Sequence, residues 1–239
     1  MLRLDRRSHV ALALLALAAS GCTRIVGTGE IDTTEIPVEG FTRLEVSSAF
    51  VVNVSFGDAP ALTLSVDRAA EDHLIVGVVG DTLRIGLEPR TMLSNVTLEA
   101  EVVVPSLQAI AGAGASEIHV ADLVSPTLQV ELSGASTLDG TVDVDAAEVE
   151  LSGASSLTVS GRAGQLSGEV SGASELSVPQ LAINSLHVDL SGASSAEVNV
   201  AESLTADLSG ASSLRYRGDP GVVNTDVSGA SSVEKLPSS

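Results

Sequence analysis

Aromatic side chains are nearly missing from this 239-residue chain: Phe41, Phe50, Phe56 and Tyr216 are the only four. So few rings cannot build the stacking platforms that hold single-stranded nucleic acid, nor a broad aromatic face for sugars. Cations are scarce as well. Twelve Lys and Arg face 31 Asp and Glu, a formal charge of −19, and Lys235 is the single lysine. Phosphate backbones are held by clustered Lys and Arg, so nucleic acid is excluded as a partner. The one cysteine, Cys22, can form neither an internal disulfide nor a Cys-based metal cluster. A core must be built from Val, Leu, Ile and Ala, with little bulk per residue.

That cysteine stands at a boundary. Arg3, Arg6 and Arg7 form a basic head, an apolar run follows from Val10 to Ala19, and Ser20-Gly21-Cys22 closes it. The run is shorter than the roughly 20 residues that span a bilayer and has the proportions of a secretory signal peptide. Ala19-Ser20-Gly21-Cys22 resembles a bacterial lipobox, with Ala19 where Leu is more usual. The resemblance implies cleavage before Cys22 and lipid on its sulfur and new N-terminus. Several acyl chains anchor stably where one is marginal. Loss of residues 1–21 removes three Arg and one Asp, which takes the formal charge from −19 to −21. Thr23, and not Asp, follows the cysteine, which by analogy with such lipoproteins implies a Gram-negative outer membrane. The expected order is a signal peptide over 1–21, then a tether with an initial strand over 22–40.

The rest of the chain repeats. Ser-Gly-Ala-Ser starts at residues 133, 152, 171, 191, 209 and 228, and Ala-Gly-Ala-Ser at 113, with spacings of 18 to 20. Apolar residues keep step with it, directly before the motif (Leu132, Leu151, Val170, Leu190, Leu208, Val227) and after it (Ile118, Leu138, Leu157, Leu176, Ala196, Leu214, Val233). The alternation has period two, the strand signature. Strand units of constant period predict stacked coils about 4.8 Å apart, each burying its apolar side only against its neighbours. The fold class is therefore all-β, a parallel β-helix or solenoid with 19-residue rungs over 113–239. The recurring glycine predicts a backbone with positive φ or a crowded corner.

Residues 41–112 are strand-rich without the period. Leu74 to Val79 and Thr82 to Leu87 flank Gly80-Asp81 as a hairpin, and Arg68 to His73 reads as one helical turn. Val46-Ser47-Ser48-Ala49-Phe50 looks like a degenerate repeat unit. The region is expected to supply irregular early rungs or a cap, since solenoids need closed ends.

Phe41-Thr42-Arg43-Leu44-Glu45-Val46, Phe50-Val51-Val52-Asn53-Val54, the Gly80-Asp81-Thr82-Leu83-Arg84-Ile85 hairpin and the repeated Ser-Gly-Ala-Ser together resemble the bacterial head GIN domain over residues 41–235. The resemblance implies the head of an auto-transporter adhesin and a right-handed parallel β-helix-like solenoid. It offers no catalytic residues to transfer. No C-terminal membrane barrel precedes Ser239, so surface display is expected from lipid on Cys22.

One column has chemistry. Two residues before each full motif stand Glu131, Glu150, Glu169, Asp189, Asp207 and Asp226. Their parity is opposite to the buried columns, so they point outward. At about 4.8 Å, neighbouring carboxylates repel by roughly 1 kcal/mol even in bulk water, less in salt. Such oxygen donors suit Ca²⁺ or Mg²⁺; the same column also reads as a solvated acidic face that blocks aggregation. The calcium-binding pattern Gly-Gly-x-Gly-x-Asp is absent.

Catalysis finds less support. Residues 113–239 carry 17 Asp and Glu but only Arg162, Arg215, Arg217 and Lys235 as cations, which would repel polyanionic glycans. His73, His119 and His187 fall in different units, and no serine lies in Gly-x-Ser-x-Gly. The outward positions are too mixed for the flat Thr array of an ice-binding solenoid. The expectation is a lipid-anchored envelope solenoid, held to the membrane by its lipid, with a structural role or a protein or glycan partner. A cation-dependent scaffold and a carbohydrate-active β-helix are the alternatives.

Overall fold

The computed structural model describes residues 23–237; the expected signal peptide and the lipidated Cys22 lie outside the described residues. Ten short strands come first: β1 (Thr23–Val26), β2 (Ile31–Ile36), β3 (Arg43–Val46), β4 (Val51–Phe56), β5 (Ala61–Asp67), β6 (Leu74–Val79), β7 (Thr82–Leu87), β8 (Thr91–Ser94), β9 (Leu98–Val104) and β10 (Ala109–Gly112). A 3-10 helix, Arg68–His73, joins β5 to β6. Five long strands follow: β11 (Glu117–Leu132), β12 (Thr137–Leu151), β13 (Ser156–Val170), β14 (Glu175–Leu190) and β15 (Ser195–Leu208). β16 (Ser213–Arg217), β17 (Val222–Val227) and β18 (Ser232–Lys235) end the stack.

Each long strand pairs in parallel with the next, and beside the corners equivalent residues meet, Leu132 with Leu151 and Leu151 with Val170; mid-strand register shifts, as between Leu157 and Gly161, take up the differences in rung length. Its two ends belong to different faces. Glu117–Val120 pairs with β4, whereas Gln129–Leu132 pairs with β10. We call the residues after each corner the leading face and those before the next corner the trailing face. Side chains facing inward form continuous columns: Ile118, Leu138, Leu157, Leu176, Ala196 and Leu214 are all no more than 3% exposed. This is the expected β-solenoid.

The Ser-Gly-Ala-Ser motif makes the corner, and each position has a task. Its glycines, from Gly114 to Gly229, hold φ between 72° and 80°, the left-handed region that costs other L-residues about 1–2 kcal/mol. The following alanine N–H donates to the glycine carbonyl of the previous rung, as from Ala154 to Gly134 at 2.7 Å and from Ala173 to Gly153 at 2.8 Å. The last serine turns inward: Ser116, Ser136, Ser155, Ser174, Ser194 and Ser212 are at most 1% exposed. Burial of a hydroxyl requires a hydrogen bond, and Ser155 Oγ donates to Ser152 O at 2.9 Å. Ser136 Oγ does the same to Ser133 O at 2.9 Å.

The first half supplies both a rung and a cap. β3, the corner Ser47–Phe50 and β4 form a rung, because β10 pairs with β3 and β11 with β4. Ser48 and Ala49 take φ of 66° and 63° there, in place of glycine. One more parallel layer follows, β7 on β3 and β9 on β4, and beyond it direction reverses. β5 lies antiparallel on β9 and β2 on β5, while β6 closes the other face as the antiparallel hairpin partner of β7. Phe41 and Phe50 are buried within this end, and Phe56 is partly buried against the core. Three of the four aromatics therefore lie at the cap end, Phe41 before β3 and Phe50 and Phe56 in the rung that β3 and β4 form.

The tether expected over 22–40 is a folded part of that cap. β1 pairs with β8, β2 joins the main sheet, and Ile25 and Val38 are buried at 4% and 5% exposure. The physical reason is a buried carboxylate. Asp67, 1% exposed, accepts from the Thr28 and Gly29 backbone N–H groups, each at 2.9 Å, and from Thr28 Oγ1 at 3.0 Å. It also accepts from Ala69 N at 3.0 Å, capping the 3-10 helix. A polar Thr- and Gly-containing stretch thus wraps a charge.

At the opposite end nothing among the described residues covers the last rung. Val222, Val223 and Val227 are 52%, 44% and 43% exposed.

The hydrogen bond from Ala69 N, with those from Gly29 and Thr28, outweighs desolvation and holds the Asp67 carboxyl at about 2. A depressed carboxylate stabilises the fold above its unfolded value and ceases to do so as pH falls through the folded one. The cap should therefore loosen between about pH 4 and pH 2. Acid titration followed by hydrogen exchange in β1 and β2 should show this loss, and Asp67→Asn should already be loosened at neutral pH and show less of the acid step.

Candidate functional site

In-register stacking turns each outward position of the trailing face into a column along the solenoid. The acidic column is real: Glu131 pairs with Glu150, Glu150 with Glu169, Glu169 with Asp189, Asp189 with Asp207 and Asp207 with Asp226. Asp189 is half-buried and the other five are exposed. Gln129 Nε2 donates to Glu131 Oε1 at 3.0 Å. Towards the cap the column continues through Ala111, Glu45 and Arg84, where Arg84 Nε stands 2.9 Å from Glu45 Oε2.

Two more columns share this face. One runs Gln129, Glu148, Ser167, His187, Thr205, Asn224, and the other Thr127, Ala146, Gln165, Ser185, Ser203, Val222. Between Thr127 and Thr205 they border a shallow hollow of about 640 Å³. A second hollow, about 390 Å³, lies nearer the cap. It exists because the rung between β3 and β11 carries only Ala109 and Ala111 outward, leaving a notch between Arg43 and Glu45 on one side and Gln129 and Glu131 on the other. Arg43 Nη2 donates to Gln129 Oε1 at 3.2 Å, and both residues border both hollows. The trailing face is thus one groove across successive rungs, lined by hydroxyls and amides and edged by carboxylates.

The histidines do not converge. His119 lies on the leading face, with Nδ1 2.6 Å from Asp139 Oδ1 and Nε2 3.3 Å from Glu117 Oε1. His73 stands 3.2 Å from Glu88 in the cap, and His187 is in the groove. Among the described residues no three His, Cys, Asp or Glu side chains are grouped to hold a metal ion. The ladder presents its carboxylates one per rung, a row and not a cage.

The groove columns other than the ladder escape notice in the sequence because their residue types change from rung to rung. Aligning each unit on its Ser-Gly-Ala-Ser and reading the fourth and sixth positions before it recovers them. The notch at Ala109 and Ala111 can be found in the same way.

A row of like charges with few cations nearby should respond to screening. Glu150→Gln relieves two neighbour repulsions, each at most roughly 1 kcal/mol in water, so it should raise the melting temperature at low salt. The gain should vanish once the Debye length falls well below the rung spacing, at about 1 M salt and above. Ca²⁺ and Mg²⁺ should act equally at matched ionic strength; a larger shift with Ca²⁺ would reveal selective coordination.

No curated protein matches the chain. Among solved structures, a "putative adhesin" of Bacteroides fragilis superposes with a TM-score of 0.84 at 18% identity, covering 89% of this chain and all of that one. A "putative adhesin" of Parabacteroides merdae gives 0.72 at 16% identity, covering 90% of this chain and 100% of its own. A "putative lipid binding protein" of Parabacteroides distasonis gives 0.72 at 18% identity with the same coverage. At such identities the likeness is one of fold. The family described as "Putative auto-transporter adhesin, head GIN domain" matches residues 40–220, most of the chain, and the protein belongs to that family.

Proposed function

We propose that this protein is a lipid-anchored adhesin of the bacterial outer membrane that binds a protein or glycan partner along its trailing face, without catalysis. The observation that carries the reading is the groove. Its three outward columns repeat at rung spacing, and its two hollows join at Arg43 and Gln129. An extended partner laid along the solenoid would meet a ladder carboxylate at each successive rung from Glu131 to Asp226, with mostly polar side chains beside it, so many weak contacts add without any deep pocket. The adhesin family supports the same role.

Acid–base chemistry needs carboxylates held in contrasting environments. The ladder instead repeats nearly one environment, and this favours binding over turnover. Display rests on Cys22, whose preceding Ala19-Ser20-Gly21 resembles a lipobox. No helix among the described residues is long and apolar enough to cross a membrane.

Three variants test this. Cys22→Ala should move the protein from the membrane fraction to the soluble one. On arrays of glycans and extracellular proteins, the purified mature protein should bind a subset of spots. Ala111→Gln fills the notch with a side chain of the size its neighbour Glu131 already has, so it should weaken that binding at least tenfold with an unchanged melting temperature. Binding indifferent to Ala111→Gln and to Glu148→Lys would remove the groove from the account, and turnover of any polysaccharide would overturn the non-catalytic reading.

A further inference from the structure

The fold begins where the anchor ends. Thr23, the residue after Cys22, is the first residue of β1, and its N–H donates to Arg90 O at 3.1 Å. No spare chain separates the expected acyl groups from the cap. Around this point β1 and β8 set exposed apolar and basic side chains together. Ile25 turns into the core, while Val26 and Met92 stand 52% and 60% exposed. Arg24 and Arg90 are exposed beside them.

The charge pattern separates these two arginines from the others. Arg68, Arg84, Arg162, Arg215, Arg217 and Lys235 each sit against a carboxylate, and Arg43 donates to Gln129. Among the described residues, Arg24 and Arg90 form no ion pair. In a chain of formal charge −19, two uncommitted cations flank the attachment point, together with two exposed apolar side chains. Basic and apolar groups side by side suit the boundary between lipid headgroups and acyl chains. The carboxylates of the ladder lie in the rungs beyond, where an anionic surface would repel them.

We propose that the β1–β8 end of the cap rests directly on the lipid surface. Val26 and Met92 enter the headgroup region, Arg24 and Arg90 meet anionic lipid phosphates, and the solenoid projects with its C-terminal rungs farthest from the membrane. The inference rests on the reading that Cys22 is lipidated, and it turns that anchor from a leash into a fixed mount. The groove then runs outward from the membrane along the stack.

The test uses the mature lipoprotein reconstituted in vesicles of phosphatidylcholine, with or without phosphatidylglycerol, carrying a nitroxide quencher on the lipid. Fluorophores are placed singly through Met92→Cys or Asp219→Cys; the acylated sulfur of Cys22 does not label. In anionic vesicles the probe at 92 should be quenched several-fold more than the probe at 219. Adding Arg24→Glu and Arg90→Glu should weaken the quenching at 92 while the protein still floats with the vesicles. Equal quenching at 92 and 219 in floating protein would overturn the mount and leave the anchor standing. Failure to float, with an unmodified Cys22, would overturn the anchor and the mount together.

Discussion

One contact recurs at every rung and limits everything else: the alanine N–H of one corner donates to the glycine carbonyl of the corner before it. The glycine must hold a positive φ and must also have no side chain. From Gly134 onward an added Cβ would lie 2.5–2.7 Å from the backbone oxygen of the preceding corner. Two independent constraints coincide at one residue, which is why it does not vary from Gly134 to Gly229. Once the corners are stacked, the residues beside them are held in register, and differences in rung length are taken up by register shifts mid-strand. Equivalent residues face each other along the stack, and composition follows from that. The inward columns hold Ile, Leu, Val or Ala at most levels, and three of the four rings lie at the cap end.

The same register produces the outer surface. On the trailing face a position that points outward in one rung does so in the next, so any bias in the repeat becomes a line on the protein. The acidic ladder is such a line, and the groove beside it forms because smaller or shorter side chains fall in register next to it. Where the repeat lapses into Ala109 and Ala111, the line is broken and a notch opens. A binding face of this kind needs no specialised loop. It arises from repetition and from local departures from it, in keeping with a chain of the head GIN adhesin family.

The repeated half was legible because identical residues at constant spacing report identical backbone environments. Period-two alternation then gave the inward and outward sides, and the orientation of Glu131 through Asp226 followed. The hairpin at Gly80-Asp81 and the turn from Arg68 to His73 were legible for local reasons, since both depend on neighbours in sequence. Residues 23–40 were not. Their polarity suggests a loose tether, yet Thr28 and Gly29 bind the buried carboxylate of Asp67, 38 or 39 positions away. Nothing in the local sequence marks that distant partner. The groove was hidden for a different reason: its columns beside the ladder are set by register, and their residue types change from rung to rung.

The central claim is that corner packing, and not glycine flexibility in general, holds the solenoid together. Comparing Gly153→Ala with Gly29→Ala by equilibrium denaturation tests it most directly. The two glycines have nearly the same φ, 78° and 77°, so both variants carry the same left-handed penalty of about 1–2 kcal/mol. Only at Gly153 would the new Cβ meet backbone, 2.5 Å from Gly134 O, while Gly29 has nothing within 4 Å. Gly29→Ala should lose no more than the conformational penalty, and Gly153→Ala should lose at least twice as much or fail to fold. Equal losses would contradict the account.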